Sequence, residues 1–269
     1  MNEDFEKVYY EQSELWDDDF LNIPAQQQRM AETIALIPAD VQIILDAACG
    51  NGVFVNALPS RYQVVGLDLS REALRHVRGQ TIHGDIGRLP FDAESFDLVA
   101  CLEAVEHLPC ETFARALTEI ERVARKYIII SVPNQEGLEY SLSICPACRC
   151  RFNVHRHLRS FSPSTLHNLF KGFAVTEVKE IGPLESRYSY DKSVFAAYRT
   201  WLDSSPQYGW AICPQCGYRT EKRKGDQKPD YRSHHRITRK ILHLVVSLGK
   251  RVWRPRKVNR WILALYVKK

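Results

Sequence analysis

Acidic side chains end two short apolar runs in this sequence, and a pair of glycines lies between them. The first run ends at Asp46 and the second at Asp68, with Gly50 and Gly52 in an intervening turn of small residues. Such a turn lets the backbone approach a ligand closely. Asp68 follows the glycines at about the 20-residue spacing at which an acid meets a ribose hydroxyl in nucleotide-binding βαβ units. The stretch therefore predicts a nucleotide-like ligand.

The glycine turn lacks the features of two common phosphate-binding loops. The dinucleotide fingerprint G-x-G-x-x-G is broken at Val55, and no Gly-Lys-Ser/Thr follows the turn. Because no pyrophosphate has to be held, the carboxylate of Asp46 suits a cationic ligand. Residues 46–52 resemble the first motif of the class I S-adenosylmethionine-dependent methyltransferases. One departure is Ala48, where many members have glycine.

Two later segments carry the same resemblance. Asp85 matches an acid that meets the adenine amino group in that family, and Ile86 matches the apolar neighbour that packs on the ring. The segment 103–109 resembles the stretch that follows the fourth strand and lies between cofactor and substrate. The resemblance covers about residues 41–180 and a last strand. It implies that S-adenosylmethionine is bound by Asp46, Ala48, Gly50, Gly52, Asp68, Leu69, Asp85, Ile86 and Glu103.

The order of apolar and amphipathic segments predicts the fold. Residues 5–38 have helical character, residues 111–125 form an amphipathic helix, and residues 173–180 alternate as a strand does. Strands and helices alternate along most of the chain, which favours a parallel sheet. We expect an α/β fold with a doubly wound, mainly parallel seven-stranded sheet, Rossmann-like as in class I methyltransferases. Residues 261–267 would close it as an antiparallel strand.

The same reasoning divides the chain into four parts. We expect an N-terminal helical cap over residues 1–40 and a cofactor-binding core over 41–135. Residues 136–172 would hold a first zinc knuckle and a substrate lid. Residues 173–269 would hold the last strands, with a second knuckle and a basic amphipathic helix inserted between them.

Two Cys-Pro-x-Cys knuckles are the clearest additions to a plain methyltransferase. A knuckle presents two thiolates to one cation, and two knuckles complete a tetrahedral zinc site. The predicted structural zinc ligands are Cys145, Cys148, Cys213 and Cys216. The alternative is a local site that uses Cys150, His155 or His157. The three remaining cysteines are expected to be packed thiols: Cys49, Cys101 and Cys110.

Histidines supply the candidate catalytic groups. The segment 155–163 resembles a His-x-Arg-x-Phe-Ser/Thr-Pro stretch in methyltransferases that act on sugars and small metabolites. A histidine there, His157 or His155, could accept the proton of a substrate hydroxyl, and so could His107 after the fourth strand. The alternative for His157 is a purely structural hydrogen bond. Tyr9 or Tyr10 is a candidate lid residue, with plain aromatic packing as the alternative.

Charge is distributed unevenly. The formal net charge is +5, but the chain from Glu221 onward has 16 Lys and Arg against 3 Asp and Glu, a net of +13, so the rest carries −8. Residues 236–252 have the pattern of a basic helix that either meets a membrane surface or packs on the sheet. Such a tail suits anionic lipid, nucleic acid or a phosphorylated substrate.

The start of the chain is acidic and lacks an apolar core, and no run of about 18 apolar residues occurs. The eight cysteines therefore suggest a reducing cytoplasm, with membrane association left open.

Three functions remain compatible with the sequence. The first is O-methylation of a sugar, glycan or secondary metabolite by an enzyme with a zinc-stapled substrate lid. The second is an RNA methyltransferase that uses the zinc ribbon and the basic tail, although no Asn/Asp-Pro-Pro-Tyr/Phe stretch for adenine amines is present and nucleic acid is the less favoured partner. The third is a non-catalytic cofactor-binding scaffold whose ribbon docks a partner protein.

Overall fold

The computed structural model describes residues 3–16, 23–187, 211–218 and 256–269. Contacts group the chain into two units. The larger contains residues 1–136, 157–184 and 259–269, and the smaller contains residues 137–156 and 185–258. The predicted basic helix over 236–252 lies outside the described residues, and the four-part division predicted from the sequence stays a prediction.

The described residues form nine strands. They are β1 Ile43–Ala47, β2 Gln63–Asp68, β3 Gln80–His83, β4 Phe96–Leu102, β5 Ala124–Pro133, β6 Leu142–Ile144, β7 Arg151–Asn153, β8 Phe173–Arg187 and β9 Arg256–Lys268. Seven of them make one sheet in the order β3-β2-β1-β4-β5-β9-β8. Strands β1 to β5 are parallel, whereas β9 runs antiparallel to β5, in register from Tyr127↔Val267 to Pro133↔Trp261. The predicted mainly parallel, Rossmann-like sheet is confirmed for this part of the chain.

The sheet is buried on both faces because its central strands are apolar at almost every position. Alternate residues of β1, β4 and β5 point to opposite faces, as the two-residue period of a strand requires. Leu45, Val99 and Ile128 join one core cluster, while their neighbours Ile44 and Leu98 join the other. The carboxyl ends of these parallel strands therefore meet at one edge, which is where ligands bind in open α/β sheets.

Six α-helices lie in the described segments. They are α1 Glu3–Tyr10, α2 Pro24–Ala35, α3 Val53–Ala57, α4 Arg71–Leu74, α5 Cys110–Val123 and α6 Pro163–Leu166. The N-terminal stretch predicted to be helical over 5–38 contains two separate helices, because Pro24 begins a new one. The sequence favours a helix over residues 71–78, but α4 ends at Leu74 because the next turn uses i→i−3 bonds, such as Val77 N to Leu74 O. No α-helix in these segments is long and apolar enough to span a bilayer.

The smaller unit contains an antiparallel pair, β6 with β7, in register from Leu142↔Asn153 to Ile144↔Arg151. The first cysteine knuckle forms the connection between these two strands. Buried side chains around it are Cys145, Phe152, Val154, Ala211 and Cys213. In the described part of this unit, the buried side chains therefore gather around the two knuckles.

Candidate active site and candidate metal centre

The turn after β1 is built from left-handed residues. Ala48, Gly50 and Gly52 have φ angles of 65°, 54° and 76°. A Cβ on Gly52 would lie 2.8 Å from Val77 Cγ2, so only glycine fits there. Ala48 has a side chain in a conformation that disfavours one, and it is the position where the sequence departs from the resembled family. The turn therefore holds local strain at the edge of the sheet.

Asp68 ties this turn to the end of β2. Its Oδ2 accepts a hydrogen bond from Gly50 N and its Oδ1 accepts one from Ser70 N, each at 2.8 Å. Burial raises the pKa of Asp68, and the two backbone amides oppose that rise without cancelling it. The two motifs that the sequence placed 18 residues apart thus form one unit, with Asp68 at its centre.

Asp46, at the end of β1, is the least satisfied acid of the turn. It is 2% exposed, and its Oδ1 has no hydrogen-bond partner in the described part of the chain. Burial raises the pKa of Asp46 to about 8, with the charge of Asp68 adding to the rise and Arg29 opposing it. A buried carboxylate without a partner is costly, and the cost falls when a cation or a donor approaches it.

The other predicted cofactor residues on this side are engaged locally. Asp85 Oδ1 accepts from Gly87 N at 2.8 Å, which shapes the turn after β3. Leu69 O contacts His83 Nε2 at 2.9 Å, and Ile86 is buried in the core beside this turn. The adenine contacts assigned to Asp85 and Ile86 stay predictions.

Glu103 follows β4 in a left-handed conformation, with φ at 53°. Ser131 Oγ donates to Glu103 Oε1 at 2.6 Å, and Arg29 Nη1 lies 3.5 Å from the same oxygen. Arg29 comes from α2, is buried, and lies over the ring of Trp261 at 5.4 Å. Sequence reasoning did not single out Arg29, because nothing in the pattern of α2 distinguishes it from an exposed basic residue.

Two of the three candidate catalytic histidines lie together. The ring centroids of His107 and His157 are 4.6 Å apart in an edge-on arrangement, and Nδ1 of His157 is hydrogen-bonded to Glu136 Oε2. His155 belongs to the smaller unit, where it is exposed and its backbone N donates to Asn153 Oδ1. The geometry therefore favours His107 and His157 as the histidines that share a site.

A buried acid lies beside this histidine pair. Glu106 is 1% exposed, and neither of its carboxylate oxygens has a hydrogen-bond partner among the described residues. Its Oε1 lies 3.8 Å from His107 Nε2. Burial raises the pKa of Glu106 well above its usual value, and Glu103 adds to the rise. The resemblance had included Glu106 only within a larger segment, so its role was missed.

Hydrogen bonds to backbone carbonyls connect the loop that contains His157 with the segment that follows β4. Leu158 N donates to Glu106 O at 2.8 Å, and Arg159 Nη1 donates to both Val105 O and Leu108 O at 2.6 Å. These bonds bring residues about 50 positions apart in the chain into one rigid arrangement. Arg159 was visible in the predicted motif, but its function as a clamp was not.

Aromatic side chains from the N-terminal segment cover this edge. Trp16 lies over the glycine turn, since a Cβ on Gly50 would be 3.0 Å from its Cζ3. Trp16 Nε1 donates to Tyr10 O at 2.7 Å, and the ring of Tyr10 meets His107 edge-on with centroids 6.5 Å apart. Tyr9 is buried. Tyr10 and Trp16 are therefore better placed than Tyr9 for the predicted lid.

The four cysteines predicted to bind zinc converge within the smaller unit. Their Sγ atoms all lie within 4.8 Å of one another. Cys145 Sγ is 3.5 Å from Cys216 Sγ, and Cys148 Sγ is 3.5 Å from Cys213 Sγ. Four thiols at such separations match the donor set of a structural zinc site.

The two knuckles share one backbone geometry. Arg149 N donates to Cys145 O at 2.9 Å, and Gly217 N donates to Cys213 O at 3.0 Å, each from a left-handed residue. Burial acts to raise the pKa of Cys145, but the amides of Cys148 and Ala147 outweigh it and lower that pKa to about 7. Cys145 therefore favours the thiolate, the form that binds metal, whereas the pKa of Cys148 in the same knuckle is raised.

The other cysteines divide differently from the prediction. Burial raises the pKa of Cys49 and Cys101, which fits packed, unreactive thiols. Cys110 is exposed at the start of α5, so the prediction that it is a packed thiol is wrong. Its place at the first residue of an amphipathic helix accounts for the difference.

Comparison with known proteins supports a methyltransferase. Residues 45–130 match the family described as a methyltransferase domain. The chain is 25% identical over 196 residues to the ubiquinone biosynthesis O-methyltransferase of Albidiferax ferrireducens, covering 61% of this chain and 74% of that protein. This chain spans 38% of the length of the malonyl-[acyl-carrier protein] O-methyltransferase of a Methylovorus strain and 75% of that of the ubiquinone biosynthesis O-methyltransferase of Chromobacterium violaceum.

Solved structures share the fold. The SAM-dependent methyltransferase of Thermotoga maritima, described as a possible histamine N-methyltransferase, has a TM-score of 0.53 at 15% identity and covers 99% of both chains. Magnesium protoporphyrin IX methyltransferase from Synechocystis, solved with bound SAH, has a TM-score of 0.52 at 16% identity over 68% of this chain and 94% of that chain. These structures share the fold of this chain, and residues 45–130 carry the match to a methyltransferase domain.

Proposed function

We propose that this chain is an S-adenosylmethionine-dependent methyltransferase that methylates a hydroxyl of a small molecule such as a sugar, glycan or secondary metabolite. The observation that carries the proposal is the edge formed by β1, β2 and β4, where buried acids and a strained glycine turn meet the histidine pair. The relative with an O-methyltransferase name supports transfer to oxygen.

The residues of the turn suit the cofactor chemically. The unpartnered Oδ1 of Asp46 would be satisfied by the positive charge of the methionine part. Gly50 and Gly52 have no side chain to block a close approach, and each oxygen of Asp68 keeps acceptor capacity beyond its one amide bond. When bound, S-adenosylmethionine would supply a methyl group made electrophilic by its sulfonium.

On the acceptor side, His107 or His157 is proposed to assist removal of the hydroxyl proton as the new oxygen–methyl bond forms. Glu136 is hydrogen-bonded to Nδ1 of His157 and thereby orients the imidazole ring. The proposed lid residues Tyr10 and Trp16 would exclude water from this edge. A non-catalytic scaffold would have no use for the buried, unpartnered Glu106 beside two histidines.

We further propose that Cys145, Cys148, Cys213 and Cys216 bind one structural Zn²⁺ that stabilises the smaller unit. The convergence of the four Sγ atoms supports this set over the alternative that uses Cys150, His155 or His157. The proposed role is confined to folding, because a four-thiolate zinc has no open position for substrate.

The test of the main proposal is cofactor binding by thermal denaturation. S-adenosylmethionine and S-adenosylhomocysteine should each raise the melting temperature, with a gain of about 2.7 kcal/mol at 100 times the dissociation constant. NAD is the matched nucleotide control and should have no effect. A protein that responds to neither methyl-cycle ligand would not be a methyltransferase of this kind.

A further inference from the structure

The cluster of Glu106, His107 and His157 contains more than a proton acceptor needs. One ligand atom from each of the three residues lies within 4.8 Å of the others. A histidine base requires one imidazole and a group to orient it. Here a second imidazole and a buried carboxylate lie beside the first imidazole. Two imidazoles and one carboxylate are the protein ligands of catalytic zinc sites and of several other first-row metal sites.

Glu106 is the independent observation that points to a bound cation. Its side chain is 1% exposed, and both of its oxygens lack a hydrogen-bond partner in the described segments. A buried carboxylate without a hydrogen-bond partner is costly, and a cation bound by Glu106 and the two histidines would offset that cost. Arg29 is the nearby cation, but it lies against Glu103.

Glu136 holds His157 in the way that metal-bound histidines are held. Its carboxylate is hydrogen-bonded to Nδ1 of His157, so a cation would be bound through Nε2 of that ring. A carboxylate on the outer nitrogen sets the tautomer and ring orientation of a metal ligand and raises its basicity. The backbone clamp from Leu158 N to Glu106 O fixes the two contributing segments at hydrogen-bond distance.

We propose that Glu106, His107 and His157 form a binding site for a divalent first-row transition-metal cation, with Glu136 as a positioning residue for His157. Zn²⁺ fits this donor set, and so do Fe²⁺ and Co²⁺. Three protein ligands leave at least one position open. The inference deepens the proposed function, because an acceptor hydroxyl in that position would be oriented and its pKa lowered. The histidines would then be metal ligands in place of the base role proposed above, and the proton of the bound hydroxyl would pass to water.

The test measures zinc content of the full chain after equilibration with Zn²⁺ and removal of free metal. The wild-type protein should retain about one equivalent more than Glu106→Gln and than His157→Ala, because each variant loses one of three ligands. Cys213→Ser should lose a different equivalent, and the double variant Glu106→Gln/Cys213→Ser should lose both. The matched control is His167→Ala, which removes an exposed histidine and should change nothing.

Measuring cofactor binding in parallel distinguishes failure of this inference from failure of the proposed function. If Glu106→Gln and His157→Ala retain the wild-type zinc content, the metal site does not exist, whatever S-adenosylmethionine does to the melting temperature. If zinc is lost as expected but the wild-type protein ignores S-adenosylmethionine, the metal site stands and the methyltransferase proposal falls. Circular dichroism establishes folding, and the half-buried His157 carries the test if Glu106→Gln does not fold.

Discussion

The acidic side chains on the two sides of the sheet edge differ in their hydrogen bonding. On the cofactor side, Asp68 and Asp85 accept hydrogen bonds from backbone amides of their own turns. On the acceptor side, Glu106 is more deeply buried than either of them but accepts none in the described residues. Acids bonded by the backbone shape a turn before any ligand arrives, whereas an unbonded buried acid is protonated unless a ligand stabilises its charge.

The two sides therefore differ in how many of their acidic oxygens are already hydrogen-bonded within the protein. In the turn that we propose to bind the cofactor, Asp68 is bonded to two backbone amides, whereas Oδ1 of Asp46 has no hydrogen-bond partner in the described part of the chain. In the proposed acceptor cluster, Arg159 is bonded to the segment after β4, but neither oxygen of Glu106 has a hydrogen-bond partner there. Substitutions in the turn should therefore weaken cofactor binding, whereas substitutions in the histidine cluster should lower turnover.

The largest effect is expected at Asp68. Asp68→Ala removes the acceptor of two backbone amides and of the ribose hydroxyls, and hydrogen bonds to a charged group contribute about 1.5–3 kcal/mol each, so affinity for S-adenosylmethionine should fall about 10³-fold. Isothermal titration measures it. Asp92→Ala, at an exposed acid, is the control and should bind normally. Equal affinity of the Asp68 variant and the control would remove Asp68 from the cofactor site.

On the acceptor side, His157→Ala and His107→Ala should each lower turnover by about 10²-fold while cofactor affinity changes little. The reason is that both rings lie close to Glu106 and are separate from the amide-bonded turn that we propose to bind the cofactor. The assay uses a panel of hydroxylated acceptors with labelled cofactor, and titration of the cofactor is the parallel readout.

His155→Ala is the internal control for that experiment, since His155 is exposed in the smaller unit. Normal turnover in both cluster variants, with loss in His155→Ala, would return the catalytic role to the histidine that the geometry disfavours.

The cofactor side was predictable from the sequence because it is local. Apolar runs that end on acids, and glycines at a fixed spacing, identify β1, β2 and the turn that joins Gly50 to Asp68. The mainly parallel order of the strands followed from alternation of strands and helices. Helix ends were less accurate, because i→i−3 turns such as the one after Leu74 leave no mark on apolar periodicity.

The acceptor side could not be predicted to the same depth because it is assembled from distant segments. Glu136 and His157 are 21 residues apart, and the Arg159 clamp reaches more than 50 residues back along the chain. A resemblance to a family points to such segments, but only packing shows that Glu106 is buried without a partner. The set of four cysteines could be predicted from the sequence because each knuckle is a pattern of four consecutive residues.

A moderate effect is expected from pH on the cofactor side. The pKa of Asp46 is raised to about 8 in the ligand-free protein, so below pH 8 the carboxyl carries a proton that a cationic ligand must displace. Affinity for S-adenosylmethionine should rise with pH by up to about tenfold per unit and level off above pH 8. Titrations across this range measure it. Asp46→Asn removes the group and should flatten this part of the dependence.

The same group affects ligand-free stability with the opposite sign. The unfolded pKa is 3.8 and the folded pKa is about 8, so the unfolded state releases its proton first and folding stability falls between these values. Asp46→Asn should therefore melt at a higher temperature than the wild-type protein at pH 9. A lower melting temperature would mean that the Asp46 charge is already compensated.

The smallest effect is expected from strain in the preformed turn. Ala48 has φ at 65°, and a left-handed alanine costs about 1–2 kcal/mol, part of which is offset because glycine gains about 0.4–1 kcal/mol of freedom in the unfolded chain. Ala48→Gly should therefore raise the free energy of unfolding by about 0.5 kcal/mol. Gly52→Ala is the comparison variant with the opposite expected effect. Its Cβ would lie 2.8 Å from Val77 Cγ2, so its free energy of unfolding should fall by more than about 1 kcal/mol. Urea denaturation without ligand measures both. If the two variants are destabilised equally, the turn is not preformed in the ligand-free protein, and the contrast with the acceptor cluster would have to be drawn from charge alone.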